Sequence, residues 1–326
     1  GFSRGRAESA ARGRLRGLGL STFVEKTGGA TAELAQVEVE EQGDIVAFVG
    51  TQDFGMGHAT VFAQVLADEL DVEFSRVRIE YGDTDQLRMG YGAHGSRGMR
   101  IGGGALVLGA RVMLDKAKQL AAEHLEVALD DVQYAQGHCF ILGTDRSVAL
   151  GELARFARTK GDVLIGEYEY EVDGPSYTNG CHVCEVEIDP ATGVVQVLAH
   201  VLVADVGKRV NPLIVDGQMH GGLTQGLGQA LFENVVYAPD NGQLLSASFM
   251  DYNIPKADQC PDYTTGFTDT PTFDNPLGVK GAGECGMTGS PPAVINAVID
   301  ALYDSGVRHL DMPATPERVW RALHAK

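Results

Sequence analysis

The sequence predicts an α+β fold made of two related halves. Strand-period and helix-period segments alternate along the chain, and the order β-β-α-β-α occurs twice. No G-x-G-x-x-G joins a strand to a helix with an acidic residue about 20 positions on, so the pattern is not that of a Rossmann unit. The halves are expected at residues 21–165 and 166–326, behind a basic segment at 1–20.

The basic segment holds Arg4, Arg6, Arg12, Arg14 and Arg16, with one short amphipathic helix from Arg6 to Leu15. It reads as a solvated arm or connector, or as a docking segment for an acidic partner chain. From Ala35 to Thr51, alternating apolar residues around Gln42-Gly43-Asp44 predict a β-hairpin. Spacings of three and four predict helices over Ala59–Leu70, Ala105–Leu125 and Leu150–Arg158, and Val77–Tyr81 reads as a short strand. In the second half, Cys181–Ile188 and Val194–Val203 read as strands joined by a Pro-Ala-Thr-Gly turn. Leu213–Phe232, Ala293–Tyr303 and Thr315–Leu323 follow as helices, with Ser290 as the expected N-cap of the second.

The 326 residues carry 26 basic and 44 acidic side chains, a net charge of −18. A surface of this sign argues against nucleic acid or an anionic membrane as the main partner. No apolar run is long enough to span a bilayer, and the start lacks the pattern of a signal peptide. Five cysteines, an odd and sparse set, fit a reducing, cytoplasmic compartment better than a disulfide scaffold. The 42 glycines are nearly twice the usual share of about 7%, and they cluster.

The first cluster, Gly50 to Thr60, lies between the hairpin and a helix. It is either a tight turn or a set of backbone N–H groups facing a ligand at a helix N-terminus. The second runs through Gly82-Asp83-Thr84-Asp85 and Gly90 to Gly98 to Gly102-Gly103-Gly104. Its glycines, Ser96, Arg97 and Arg100 before a strong helix suit a phosphate or pyrophosphate. The third, Gln218 to Gly228, places four glycines in an expected helix at about 1 kcal/mol each relative to Ala. It reads as a helix–helix contact through small residues, or as a face for a planar ligand read by Gln225. In the fourth, Gly278 to Gly286, Glu284 stands among glycines with open space around it, as a general base needs. Cys181-His182-Val183-Cys184 sits in a strand, where residues i and i+3 face opposite ways, so a metal or redox pair is not expected.

Taken in order, these motifs resemble the molybdenum-binding chain of the xanthine oxidase family of molybdenum hydroxylases. The most specific are Gly278-Val279-Lys280-Gly281-Ala282-Gly283-Glu284 and Gly289-Ser290-Pro291-Pro292-Ala293. Asp205-Val206-Gly207, Asn211-Pro212 and Gln218 to Gly228 precede them as in the family. The match runs from about Val37 to Leu323 and resembles the C-terminal half of that chain, its second cofactor-binding domain. The Gly- and Phe-rich loop of the family's N-terminal half has no counterpart here.

The resemblance implies molybdopterin with molybdenum, in the cytosine dinucleotide form, held by its dithiolene with no protein ligand to the metal. It implies Glu284 as general base in the hydroxylation of an electron-poor carbon, an N-heteroaromatic ring or an aldehyde, with water as oxygen source. The implied cofactor contacts are Gly55, Met56, Gly57 and His58; Gly95, Ser96 and Arg97; Gln218, Gln225 and Gly226; and Lys280, Gly281 and Gly283. A [2Fe-2S] subunit and a FAD subunit would carry electrons away. A second molybdenum-chain half would complete the site, a split arrangement that nicotinate dehydrogenase resembles. One departure is Met56, where the family usually has Gln; a thioether cannot supply the amide's hydrogen bond, leaving the backbone N–H groups of that loop. Met56 also keeps open a non-catalytic scaffold or cofactor-insertion subunit.

Overall fold

Two four-stranded sheets, each backed by helices, organise the chain; the computed structural model describes residues 1–325. In chain order the elements begin with α1 (Phe2–Ala11), β1 (Leu15–Thr27), β2 (Ala32–Val39), β3 (Ile45–Val49), α2 (His58–Leu70), β4 (Val77–Tyr81) and α3 (Gly103–His124). A small sheet of β5 (Val132–Ala135), β6 (His138–Ile141) and β7 (Ser147–Ala149) leads into α4 (Leu150–Thr159). The second half continues with β8 (Ile165–Glu171), β9 (Ser176–Ile188), β10 (Val195–Asp205), α5 (Pro212–Leu227) and β11 (Tyr263–Phe267). It closes with α6 (Cys285–Thr288), α7 (Ser290–Leu302) and α8 (Pro316–His324).

The two large sheets share one topology, with orders β8-β2-β3-β4 and β1-β9-β10-β11. In each, an antiparallel hairpin (β2–β3, β9–β10) is followed by a helix and a strand parallel to the hairpin's second member. The fourth strand is exchanged: β8 of the second half pairs with β2, and β1 of the first pairs with β9. Helix α3 packs on β8 and β2, while α7 packs on β1 and β9. Glycine makes both approaches possible. A Cβ at Gly166 would stand 2.3 Å from Gly109 O of α3, and one at Gly19 would stand 2.0 Å from Ala293 O of α7.

The exchange overturns the reading of residues 1–20 as a solvated arm. Helix α1 buries Gly5 and Ser9, and β1 pairs along its whole length with β9. The basic run meets acidic residues beside it: Arg12 pairs with Glu187, Arg14 with Asp189 and Arg16 with Glu185. The strand was hidden because its inward face carries Gly17, Gly19, Phe23, Glu25 and Thr27, while Leu18, Leu20 and Val24 point outward. The boundary placed at residue 20 therefore cuts a strand.

Ser290 is also corrected. Gly289 precedes α7, and Ser290, in the first turn, donates its hydroxyl to Leu223 O at 3.2 Å. The helix expected over Leu213–Phe232 ends its α-helical part at Leu227 and finishes in a π-helical turn over Gly228–Phe232. Beneath the first sheet, Phe62, Leu66, Leu106 and Met113 form a core with Val37, Ile45 and Val49. Beneath the second, Cys184, Val186 and Ile188 meet Ala293, Ala297 and Val298.

Candidate active site

Four loops leave the carboxyl ends of the parallel pairs β3/β4 and β10/β11, where open α/β arrangements place their ligands. They line one cavity of about 370 Å³. Phe54, Met56 and His58 come from the β3–α2 loop, and His94 and Ser96 from the β4–α3 loop. Lys208, Asn211 and Gln218 follow β10, and Lys280, Gly283 and Glu284 follow β11.

The β3–α2 loop is closed on itself by a residue the sequence reading passed over. Asp53 Oδ1 accepts from the amides of Gly55 (2.9 Å) and Gly57 (3.2 Å), and its Oδ2 from Ala59 (2.9 Å). Burial alone would raise the Asp53 pKa, but these three amides and His58 outweigh it and hold it below the usual carboxylate range. The N-terminus of α2 thus already holds an anion. The amides of Gly55 and Gly57 are committed to Asp53, which corrects the expectation that they face a ligand. Met56 and His58 do reach the cavity wall. The Met56 sulfur accepts from the Phe54 amide at 3.3 Å. His58 stacks on Phe62, and burial lowers its pKa and keeps the imidazole neutral.

Arg97 is a second correction. Its guanidinium is fully buried and donates to Glu33 Oε2 (2.8 Å) and to the carbonyls of Ala30, Gly92 and Ala32. Four of its five N–H donors are used inside the protein, so it clamps the β4–α3 loop to β2; it lines the cavity, but its side chain has no exposed surface to offer a phosphate. Arg100 is likewise held by Asp274. Gly95 and Ser96 remain on the wall, both at positive φ (+58° and +56°), with Gly95 O accepting from Gly28 N at 2.7 Å.

Along α5, Asn211 caps the helix through Ile214 N and donates to Gln64 of α2, tying the halves together. Gln218 faces the cavity. Gln225, seven residues on, lies about 10 Å further along the axis; it is exposed and outside the cavity wall. Gly226 is buried against α7, where a Cβ would stand 2.4 Å from Ser290 Cβ, and Gly222 packs on the backbone at Gly286 in the same way. These glycines make a helix–helix contact, which places Gly226 away from the cavity wall.

In the last loop Lys280 donates to Asp205 Oδ2 at 2.8 Å, which neutralises it at the cavity edge. Gly281 is buried behind Ser96, where a Cβ would stand 2.5 Å from Ser96 O; this removes it too from the cavity wall. Gly283 is open to the cavity, and Glu284 is exposed beside it with no cation paired to it among the described residues. Ser96 Oγ lies 3.0 Å from Glu284 Oε2, 2.8 Å from Glu25 Oε1, and accepts from Glu284 N at 3.1 Å.

Glu25 and Lys208 were both missed in the sequence. Glu25 is one inward position of a strand whose pattern concealed it, and Lys208 carries no motif. Lys208 is the lysine or arginine side chain on the wall that has no carboxylate partner among the described residues.

The arrangement defines a class: a two-sheet α+β unit whose paired crossover loops present one free carboxylate, one free ammonium and a free carboxamide to a common cavity. The chain belongs to the molybdopterin cofactor-binding domain family, whose model matches residues 2–261. It is 34% identical over 350 residues to the carbon monoxide dehydrogenase large chain of Hydrogenophaga pseudoflava, covering 98% of this chain and 42% of that one. It is 34% identical to the nicotine 6-hydroxylase large subunit of Paenarthrobacter nicotinovorans, with the same coverage. Its structure superposes on quinoline 2-oxidoreductase from Pseudomonas putida 86 with a TM-score of 0.90 at 35% identity, covering 100% of this chain and 44% of that one. These relatives bear out the resemblance to xanthine oxidase family molybdenum chains. The chain spans less than half the length of the relatives it matches.

Proposed function

We propose that this chain forms the Glu284-bearing side of a molybdenum hydroxylase site, in which an electron-poor carbon gains an oxygen from water and releases two electrons and two protons. The observation that carries the reading is the free Glu284 carboxylate in the cavity, held by Ser96 and flanked by Gly283.

The residues present suit a molybdopterin cofactor. The Gln218 carboxamide can pair with a polar heterocycle edge, and Lys208 with an anionic phosphate. The neutral His58, Phe54 and Met56 supply an apolar wall. When bound, the cofactor supplies the two-electron acceptor and a Lewis-acidic centre. Glu284 then takes the proton from the oxygen to be transferred, Ser96 orients its carboxylate, and Gly283 leaves room for the reacting carbon. The dinucleotide is the cytosine form in this reading. The rest of the molybdenum-binding region, a [2Fe-2S] subunit and a FAD subunit complete a hetero-oligomer that works in the cytoplasm. The named substrates of two relatives, nicotine and quinoline, support an N-heteroaromatic ring over an aldehyde.

The test is Glu284→Gln in the purified complex. Metal and pterin content should stay at the wild-type level while turnover with an N-heteroaromatic substrate and a dye acceptor falls roughly 10²–10⁴-fold. Near-normal turnover in that variant removes Glu284 from the role. A wild-type complex that contains no molybdenum would favour the scaffold reading.

A further inference from the structure

The second carboxyl beside Ser96 has no place in the reading above. Glu25 lies on β1, is 9% exposed, and has one oxygen, Oε2, buried without any hydrogen-bond partner. Its other oxygen is 2.8 Å from Ser96 Oγ.

A count of hydrogens fixes what this contact must be. A serine hydroxyl has one hydrogen and two lone pairs. One lone pair of Ser96 accepts the Glu284 amide at 3.1 Å. That leaves one hydrogen and one lone pair for two carboxyl oxygens, Glu25 Oε1 and Glu284 Oε2. The hydrogen can serve one of them; the other must bring its own. Two ionised carboxylates sharing one hydroxyl would also repel each other in a partly desolvated site. Glu284 opens to the cavity, where solvent supports its charge, whereas Glu25 is enclosed.

We propose that Glu25 is a positioning residue: as the neutral acid it donates to Ser96 Oγ, and Ser96 donates in turn to the Glu284 carboxylate, so that a single chain of hydrogen bonds aims the base. Ser96 is fixed for this task from behind. It holds φ at +56°, a conformation costly for a residue with a Cβ, and Gly281 packs directly on its carbonyl and Cβ. Burial, opposed by the Ser96 hydrogen bond and reinforced by the Glu284 charge, leaves the Glu25 pKa raised. The titratable groups that face Glu25 are Glu284 and the buried thiol of Cys285; β9 presents Thr178 opposite it in register.

The inference rests on Glu284 being the base, but its first test does not. Infrared spectra of the purified chain at pH 6 should show a protonated-carboxyl C=O band, which ordinary carboxylates, ionised at that pH, do not give. The band should be absent in Glu25→Gln and shifted in frequency in Ser96→Ala. A wild-type spectrum without that band at pH 6 overturns the proposal, whatever the activity of Glu284→Gln. In the cofactor-loaded complex, Glu25→Gln keeps a donor toward Ser96 and should hold kcat within about threefold, whereas Glu25→Leu should lower it about tenfold at unchanged KM. The share of the kcat pH dependence that Glu25 carries should vanish in Glu25→Gln. Equal kcat in the Gln and Leu variants, with a wild-type pH profile in both, refutes the positioning role.

Discussion

Arg97 separates two ideas about the glycine-rich β4–α3 loop. If it holds a pyrophosphate, its replacement should weaken cofactor binding and leave the empty chain untouched. If it is the clamp described above, its replacement should weaken the chain with no cofactor present. In Arg97→Met, Glu33 stays fully buried with only Thr51 Oγ1 and the Leu34 amide as donors, and the carbonyls of Ala30, Ala32 and Gly92 lose the guanidinium. Breaking a buried ion pair by removing one partner costs about 3–5 kcal/mol. At roughly 2 °C per kcal/mol for a chain of this size, Tm should fall by roughly 6–10 °C. Urea denaturation of the cofactor-free chain, followed by circular dichroism, measures the loss. Adding Glu33→Leu should restore part of it, since the uncompensated charge is then gone. A single variant within about 0.5 kcal/mol of wild type, below the cost of any buried unpaired charge, would refute the clamp and return Arg97 to the ligand.

Two pH-linked outcomes follow from other titratable groups. Asp53→Ala leaves the amides of Gly55, Gly57 and Ala59 without their acceptor and should cost about 1–2 kcal/mol at pH 7. Because the folded pKa of Asp53 is depressed, its contribution is present above the unfolded value of about 4 and is lost as pH falls through the lower folded value. The gap between wild type and variant, read by denaturant titration, should therefore close in acid. His182 and His200 share a buried contact at 3.3 Å, and burial lowers their pKa to about 4 and about 3. The unfolded chain protonates them near pH 6.5 and the native chain does not, so stability should be lost as pH falls from about 6.5 to about 4. The slope is up to about 1.4 kcal/mol per pH unit for each ring. A His182→Phe, His200→Leu double variant should flatten that window, and an unchanged slope would refute the assignment.

Much of the fold was legible because the helices α2, α3, α4 and α8 and the hairpins β2–β3 and β9–β10 carry clean periods of 3.6 or 2. What failed was long-range. Strand β1 has glycines where a strand normally shows core side chains, because a helix backbone occupies that space; no local pattern reveals a helix that arrives some 280 residues later. In the site, Glu284 and Ser96 stood out from their glycine-rich surroundings, Gln218, Met56 and His58 came with the family resemblance, and all five meet in one cavity. Arg97, Gly226, Gly281 and the amides of Gly55 and Gly57 carried the same signal for a different reason. Glycine marks close approach without saying whether the neighbour is a ligand, another helix or a carboxylate of the same chain.

The strand exchange explains why this site is so reliant on contacts within the chain. Each half lends its first strand to the other sheet, so neither sheet can be completed by one half alone. β1 delivers Glu25 from the first half to Ser96 on the β4–α3 loop and to Glu284 after β11, and Asn211 reaches back to Gln64 on α2. The chain carries many ionic groups near the cavity, yet Asp53, Glu33 and Asp205 neutralise or occupy most of its anion-binding potential from inside. The groups left free at the wall, Lys208, Gln218 and Glu284, follow β10 and β11, Gln218 on α5 and the other two on loops. The first half thus supplies the apolar wall, Ser96 and the clamps that fix geometry, and the second presents the free polar groups, with the exchanged strands β1 and β8 joining the two.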